Sequence, residues 1–333
     1  MFKKHICIIA MLCAVVCCIS FRDAGAEVIT PDRTIDLSLI LLSTTVNNGA
    51  GNQSDPHVSA DVVAYSNFLS VGSEIRFKNL ITGVDTAIPN EGAADTLSDI
   101  NDGRVVFSRR TSTHTAIFLK NLSTGLFSEL DPHPSLIRTN AAIGSSTVVW
   151  QERANGAASG TTEIVTLDLA SGATTRITSD ALLDQRPAVS PDGAVLVWLK
   201  CATINSGCDV WKATKINDLW STAAITGAEG EEGNPDTNGQ LIVYSSIRPT
   251  TSGATEKHVY WRPVEGGTEG SVPSTAHQEA GPSISGTLLA FESYDSVNIT
   301  VGYRSVRHRD RYPVSDYQYT RHERGIDRCL CRN

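Results

Sequence analysis

The sequence lacks the motifs of the common hydrolases and nucleotide-dependent enzymes. It contains no Gly-x-Ser-x-Gly elbow, which would present a serine nucleophile in an α/β-hydrolase. It contains no His-Glu-x-x-His pair and no Gly-rich phosphate loop after a strand, and its eight His residues are scattered. The spacing of its Cys residues matches no zinc site. These absences argue against a serine peptidase, a zinc peptidase and a nucleotide-binding enzyme.

The chain also has little that favours helices or nucleic-acid binding. It has only two Met residues and no amphipathic helical pattern, which points to a β protein. Its formal net charge is −8, and residues 27–302 hold 17 basic against 31 acidic residues, a net of −14. This acidic body argues against a nucleic-acid partner and suits cationic ligands or basic protein surfaces. The same charge would also simply keep an exported protein soluble.

One stretch recurs six times, most clearly as residues 55–59 (DPHVS) followed by residues 62–66 (VVAYS). Each copy carries an aromatic residue at the same place, and successive aromatics lie 42, 43, 48, 46 and 47 residues apart. A period of 40–50 residues with several short strands is typical of a β-propeller with one blade per repeat. We therefore expect an all-β, six-bladed β-propeller with four antiparallel strands in each blade. The aromatics, which we expect to pack between blades, are Tyr65, Phe107, Trp150, Trp198, Tyr244 and Phe291.

The repeats place the blades near residues 53–90, 95–130, 138–179, 184–226, 232–273 and 279–315, in one domain covering residues 27–319. Because one blade cannot bury both of its faces alone, the six should form a single ring. Ser/Thr-Gly pairs within the repeats are hairpin turns, since Gly accepts positive φ without steric cost.

The repeats resemble those of the TolB-type propeller family. The family pattern Pro-x-apolar-Ser-Pro-Asp-Gly appears in full at residues 187–193 (PAVSPDG), and the resemblance covers about residues 37–315. It implies the fold and says little of function, because the repeated residues build blades. TolB itself carries an α/β domain before its propeller, whereas here the first repeat follows soon after Ala26, so we expect a TolB-like propeller without that domain.

The start of the chain has the pattern of a secretion signal. Residues 3–5 (KKH) are basic, residues 6–19 are apolar, and residues 24–26 (AGA) fit a small-x-small cleavage site. We expect a signal peptide over residues 1–26, a mature chain that begins at Glu27, and a secreted or periplasmic protein with no membrane span after cleavage. An uncleaved anchor, or a lipoprotein modified at residues 17–18 (CC), are the alternatives.

Four Cys residues lie after the predicted signal peptide, and two of them predict a disulfide. Cys201 and Cys208 flank a short loop between two predicted strands, and in an exported protein such a pair closes the hairpin. Two free thiols are the alternative. Cys329 and Cys331 lie in the C-terminal tail and are interpreted as unpaired or intermolecular.

The predicted ring can be closed from either end of the chain. Residues 37–42 would supply the outer strand of the last blade from the N-terminal side, and residues 311–315 would supply it from the C-terminal side. We favour the N-terminal strand. Residues 320–333 form an Arg-rich tail without the repeat pattern, which we expect to be disordered.

A polar position recurs three residues before the Pro of each repeat, just ahead of the innermost strand. A propeller would gather the six copies near one mouth of its channel, where they could bind a divalent cation, accept a basic group of a partner or serve as a general acid/base pair. A solvated polar collar is the plain alternative. This predicted binding ring is Gln53, Asp95, Arg138, Asp184, Glu232 and Glu279. A second, more mixed ring is His57, Asp99, Ala142, Ala188, Asp236 and Ser283.

The favoured function is a non-enzymatic scaffold that binds an envelope or extracellular protein, or a polysaccharide, as a monomer. No catalytic residue and no cofactor is expected, with a bound calcium ion as an open alternative. The competing function is a small propeller enzyme of the glycoside hydrolase or lyase type that uses acids at the channel mouth. A metal-stabilised structural propeller is the third.

Overall fold

The computed structural model describes residues 7–9, 43–47, 49, 51–156, 161–227, 230–249, 253–272, 278–294, 299–305 and 318–322. Strands β1 (Cys7–Ile9) and β2 (Ser43–Thr45) pair antiparallel. Strand β1 falls in the predicted signal peptide and would be absent from a processed chain. The strand predicted at residues 37–42 lies outside the described residues. No helix in the described ranges is long and apolar enough to cross a bilayer.

The other described strands form six successive antiparallel units, each with four strands in chain order. Units one to three are also joined into one sheet by the parallel bridges Ser73–Ala94 and Thr115–Ile137. Unit one contains β3 (Asn52–Ser59), β4 (Val62–Phe68), β5 (Ser73–Asn79) and β6 (Asp85–Ala87). Unit two contains β7 (Ala94–Asn101), β8 (Arg104–Arg110), β9 (Thr115–Asn121) and β10 (Phe127–Glu129). Unit three contains β11 (Leu136–Ile143), β12 (Thr147–Ala154), β13 (Glu163–Asp168) and β14 (Thr174–Arg176).

The second half of the chain repeats the arrangement in three separate sheets. Unit four contains β15 (Leu183–Val189), β16 (Val195–Thr203), β17 (Ser206–Ile216) and β18 (Leu219–Ala224). Unit five contains β19 (Glu231–Thr237), β20 (Leu241–Pro249), β21 (Thr255–Pro263) and β22 (Gly270–Ser271). Unit six contains β23 (Gln278–Ser285), β24 (Leu288–Tyr294), β25 (Ile299–Ser305) and β26 (Gln318–His322).

The last strand of unit six comes from the C-terminal end of the chain. Strand β26 pairs antiparallel with β25, which differs from the favoured N-terminal strand and from the alternative at residues 311–315. It also places residues 320–322, predicted as disordered tail, in a strand. The physical reason is that β25 would otherwise present a free edge, whose N–H and C=O groups pair readily with any extended segment in reach.

The repeated aromatics form the core between units. Five of them are fully buried and Phe291 is 2% exposed. Five of them pack with the unit before their own: Trp150 of unit three shares a cluster with Val106 and Ile117 of unit two, and Trp198 of unit four shares one with Val149 of unit three. The same relation joins Phe107 to unit one, Tyr244 to unit four and Phe291 to unit five. Tyr65 of unit one packs with Val46. The prediction that these aromatics pack between neighbouring repeats is confirmed for the five in units two to six.

Side-chain caps fix the hairpins between the third and fourth strands. In unit two, Asn121 Oδ1 accepts the N–H groups of Ser123 and Thr124, and Gly125 follows with φ 75°. Asn79 and Asp168 accept the equivalent bonds in units one and three. Asn and Asp favour such turns because their side-chain oxygen imitates a backbone acceptor.

The first strands of successive units lie beside one another, from β3 to β7, β11, β15, β19 and β23. The turns that end them are also linked: Ser145 N–H donates to Pro191 O at 2.8 Å, and Arg104 donates to Gly144 O at 3.2 Å. The first strands therefore form the inner side of the structure, and the short fourth strands form the outer side.

Replacing Trp198 by Ala should lower the free energy of unfolding by about 3–5 kcal/mol, because a fully buried indole leaves a cavity between units three and four. Leu219→Ala is the control: Leu219 is 75% exposed in β18, so its loss should stay within about 0.5 kcal/mol. Urea unfolding of both variants measures the difference. Equal stability of the two would contradict this core.

Candidate functional site

Every first strand contains a β-bulge at the same place. The pairing register shifts by one residue between Ser54 and His57 in unit one, and at the equivalent step in the other five units. In five units the bulge lies opposite the buried aromatic and contains one residue with a positive φ of 50–55°. In unit two the extra residue is Ser98. In four units Pro directly follows the residue of positive φ, and bulges are among the few strand positions that tolerate Pro.

The bulge changes the direction of the side chains that follow it. Gln53, before the bulge, lies opposite Asn67 and so shares the face of Tyr65. His57, four residues later, lies opposite Ala64 on the other face. Without the bulge, residues 53 and 57 would share one face, because side chains alternate along a strand. The two predicted rings are thereby separated onto different faces of each unit.

The predicted binding ring is buried rather than gathered at a mouth. Its six residues are 0–8% exposed. Most pair with the residue opposite them in their own unit: Asp95 accepts two bonds of 2.8 Å from Arg109, and Arg138 donates to Glu152 at 3.1 Å. Glu279 is the exception, since it pairs with His258 of unit five. A solvated collar is the wrong description of these residues, because they lie on the inter-unit face beside the aromatics.

Two carboxylates of that ring are incompletely satisfied. Asp184 Oδ1 accepts a bond of 2.7 Å from Trp198 Nε1, and Glu232 Oε1 accepts one of 3.0 Å from Ser246, but their other oxygens have no partner among the described residues. Burial raises the pKa of Asp184 to about 6, against the opposing effects of Lys200 and Trp198. Burial likewise raises the pKa of Glu232 to about 7, against the bond from Ser246.

In the second ring, residues of neighbouring units contact each other. His57 Nδ1 lies 3.1 Å from Asp99 Oδ1, and His57 Nε2 lies 3.4 Å from Asp55 Oδ1. Burial alone would lower the pKa of His57, but its bonds to Asp55 and Asp99 outweigh that effect and raise the pKa to about 10. His57 is therefore a cation at neutral pH, held between two carboxylates of units one and two.

Asp99 and Asp236 each join their own unit to the next. Asp99 Oδ2 accepts the N–H of Ile143 at 2.9 Å, and Asp236 Oδ2 accepts that of Ile284 at 2.8 Å. Burial raises the pKa of Asp236, the backbone bonds from Ile284 and Thr237 oppose the shift, and the charge of Asp99 adds to it. Asp99 and Asp236 therefore hold equivalent positions in units two and five, each tied to the backbone of the following unit.

The bulge residues themselves form a set that the repeat pattern alone did not predict. We call it the mouth ring: Asp55, Ser98, Asn140, Arg186, Asn234 and Gly281. Ser98 and Asn234 are half-buried and the other four are exposed. Asn140 donates to Gln151 Oε1 at 3.0 Å, the Arg186 N–H donates to the same oxygen at 2.9 Å, and Arg186 Nη1 donates to Asn234 Oδ1 at 2.8 Å. The available signal was an Asp, Arg, Asn or Gly directly before Pro in four repeats.

The Cys pair and the possible metal ligands complete the set of predicted site features. Cys201 and Cys208 form a disulfide with an S–S distance of 2.05 Å, which joins β16 to β17. In the part of the chain that is described, no three His, Cys, Asp or Glu side chains are grouped as a metal site requires. The calcium alternative therefore gains no candidate ligand set there.

No protein-family model and no curated protein matches the sequence. Among solved structures, the chain is similar to the β-propeller domain of the Trilobed protease from Pyrococcus furiosus, with a TM-score of 0.60, 10% identity, and coverage of 82% of this chain and 84% of that one. It is also similar to a TolB from Agrobacterium tumefaciens, with a TM-score of 0.50, 15% identity, and coverage of 69% and 83%. The fold is a TolB-like β-propeller.

Enzymes are also among the similar propellers. An oligogalacturonate lyase in complex with manganese matches with a TM-score of 0.53 and 15% identity over 72% of this chain and 70% of that one. A prolyl endopeptidase matches with a TM-score of 0.57 and 13% identity over 77% of this chain, which spans only 41% of the endopeptidase. At these identities the likeness concerns the fold alone.

Asp184→Asn should stabilise the propeller at pH 8 and have little effect at pH 4. The folded pKa of about 6 lies above the ordinary value of 3.8, so the folded state holds a proton that the unfolded chain releases, and stability falls as pH rises through this window. The shift corresponds to on the order of 2–3 kcal/mol. Urea unfolding at pH 4, 6 and 8 measures it. Leu219→Ala, which changes an exposed residue and no ionisable group, is the control and should give a pH-independent difference. A pH-independent effect at Asp184 would contradict the burial argument.

Asp99→Ala and Asp236→Ala should each cost about 1–3 kcal/mol, because each leaves backbone N–H groups of two units without an acceptor. Glu265→Ala, which removes a carboxylate from an exposed loop, is the matched control and should stay within about 0.5 kcal/mol. Thermal unfolding of the three variants provides the comparison. Losses no larger than that of the control would remove Asp99 and Asp236 as links between units.

Proposed function

We propose that the protein is an exported, monomeric, six-bladed propeller that acts as a non-enzymatic scaffold and binds a protein partner at the mouth ring. The proposal rests on the linked set Asn140, Gln151, Arg186 and Asn234, to which three units contribute. Asn140 and Arg186 are exposed, and Gln151 and Asn234 are half-buried. Exposed polar side chains held on rigid strands suit recognition, because little freedom is lost on binding.

The six-bladed ring is part of the proposal. It is supported by six four-stranded units in sequence and by inner strands that contact one another from β3 to β23. All four described strands of unit six come from the C-terminal part of the chain, so closure would depend on packing of unit six against unit one. The similar propeller domain of the Trilobed protease has an open velcro topology.

Export is supported by two independent features. The first 26 residues have the basic, apolar and small-residue segments of a signal peptide. The disulfide between Cys201 and Cys208 is of a kind that persists in oxidising compartments and is rare in the cytosol. A periplasmic or extracellular location accounts for both.

The second candidate function is a carbohydrate-active enzyme of the hydrolase or lyase type. Asp99 and Asp236 favour it, since both carboxylates lie on inner strands and a lyase is among the similar folds. Against it, both oxygens of each carboxylate accept backbone N–H groups, so neither is free to transfer a proton to a substrate. New reducing ends or unsaturated products, released from a polysaccharide panel by the protein but not by Asp99→Asn, would favour the enzyme.

The scaffold proposal is tested by capture of partners from envelope extract with a mouth-ring variant. Asn140→Gly and Asn234→Gly together remove two side chains and keep the left-handed backbone, which Gly adopts readily. The matched control, Asn217→Gly with Asp218→Gly, makes the same change in the β17–β18 turn, where both residues also have positive φ.

We expect a partner that the wild type and the turn variant capture equally and that the mouth variant loses. Purified partner should then bind the mouth variant at least about tenfold more weakly, a difference of about 1.4 kcal/mol. Equal capture by the mouth variant, or no specific capture by the wild type, would contradict the proposal.

A further inference from the structure

Arg186 stands out among the residues of the mouth ring. It has φ 54°, and the other left-handed bulge positions are held by Asp55, Asn140, Asn234 and Gly281. Asp, Asn and Gly are the residues that accept this conformation most easily, and a long side chain is uncommon there. Strained backbone of this kind persists where the surrounding structure enforces it, and it concentrates at functional positions.

The guanidinium of Arg186 is held by neutral groups. Nη1 donates to Asn234 Oδ1 at 2.8 Å and Nη2 donates to Asn205 Oδ1 at 3.4 Å, while the backbone N–H donates to Gln151. Gln151 belongs to unit three, Asn205 to the β16–β17 turn of unit four and Asn234 to unit five, so the contacts come from three units. The buried arginines of the same inner region differ, because Arg109 and Arg138 are ion-paired with carboxylates.

Arg186 is exposed, and no carboxylate of the described residues lies within ion-pair distance of it. A guanidinium has five N–H donors, and the two bonds to Asn234 and Asn205 leave donors available on its exposed side. The fork of a guanidinium matches the two oxygens of a carboxylate, and amide contacts that fix its orientation reduce the entropy lost on binding.

The neighbours of Arg186 indicate what carries that carboxylate. Asn140, Gln151, Asn205 and Asn234 bear primary amides, which donate and accept like a peptide group. Residues 27–302 have a net charge of −14, so the surface as a whole repels polyanions. The guanidinium of Arg186 would attract one acidic group locally. A polypeptide with a single carboxylate fits this charge pattern better than a polyuronate does.

We propose that Arg186, oriented by Asn234 and Asn205, binds a carboxylate of the partner polypeptide at the mouth ring, either its C-terminus or an Asp or Glu side chain. This inference rests on the scaffold function proposed above and specifies the chemistry of its site.

The test uses peptides as probes. A display library of random heptapeptides with free C-termini is selected on the whole secreted protein, and each selected peptide is synthesised with its carboxylates intact and with each one converted to the amide. Binding is measured for the wild type, Arg186→Asn, Arg186→Lys and the control Arg110→Gln, which removes an exposed Arg from the end of β8.

We expect Arg186→Asn to weaken binding of the intact peptide at least about tenfold and to retain the wild-type melting temperature, because Asn accepts the left-handed backbone. Amidation of one carboxylate should weaken wild-type binding by a similar factor and Arg186→Asn binding hardly at all, since the two groups act as a pair. Arg186→Lys should recover part of the affinity, because it keeps the charge and loses the fork. Arg110→Gln should bind like the wild type.

Peptides that bind regardless of amidation, or equally to Arg186→Asn, would overturn the role of Arg186 and leave the scaffold function standing. Failure to select any peptide would count against both. Oligogalacturonate is included as a second probe, and Arg186-dependent binding of it in place of peptides would overturn the assignment to a polypeptide.

Discussion

The β-bulge in the first strand of each unit is the feature on which the rest of the arrangement depends. It lies beside the buried aromatic, adds one residue, and reverses the faces of the side chains on either side of it. The ring residues before it are buried on the face of the aromatic, and after it His57, Asp99 and Asp236 reach the next inner strand. Without that reversal, the residues of the two rings would compete for the same face of the strand.

The buried ring shows why polar residues can occupy the core of this propeller. Asp95 with Arg109 and Arg138 with Glu152 are paired within one unit, and the cations lie over aromatic rings: Arg109 is 5.5 Å from the Phe107 ring centre and Arg138 is 5.0 Å from that of Trp150. Removing one partner of such a pair leaves the other charge buried and unpaired, which is strongly destabilising. These residues therefore contribute to the stability of each unit.

The sequence was sufficient to predict the repeats, the aromatic core and the hairpin turns, because each depends on a local pattern that recurs. Tyr65 and its counterparts mark the second strand, and the Thr-Gly and Ser-Gly pairs mark turns whose φ requires Gly. The location of the binding ring could not be obtained in this way, because the repeat pattern does not show where the innermost strand begins. Gln53 and Glu279 were expected just ahead of that strand, at a mouth, but they lie within β3 and β23 and are buried. The inserted residue, Asp55 or Gly281, takes the exposed position. The partner strand that completes unit six depends on a non-local contact and has no repeat pattern at Gln318–His322.

A binding site at the mouth ring can be tested by hydrogen–deuterium exchange of the protein, free and bound to its captured partner. We expect protection on binding in β11, β15 and β19, where Asn140, Arg186 and Asn234 lie, and none in the outer hairpins that contain Asn79, Asn121 and Asp168. Protection confined to those outer hairpins, with unchanged exchange in the three inner strands, would contradict a binding site at the mouth ring.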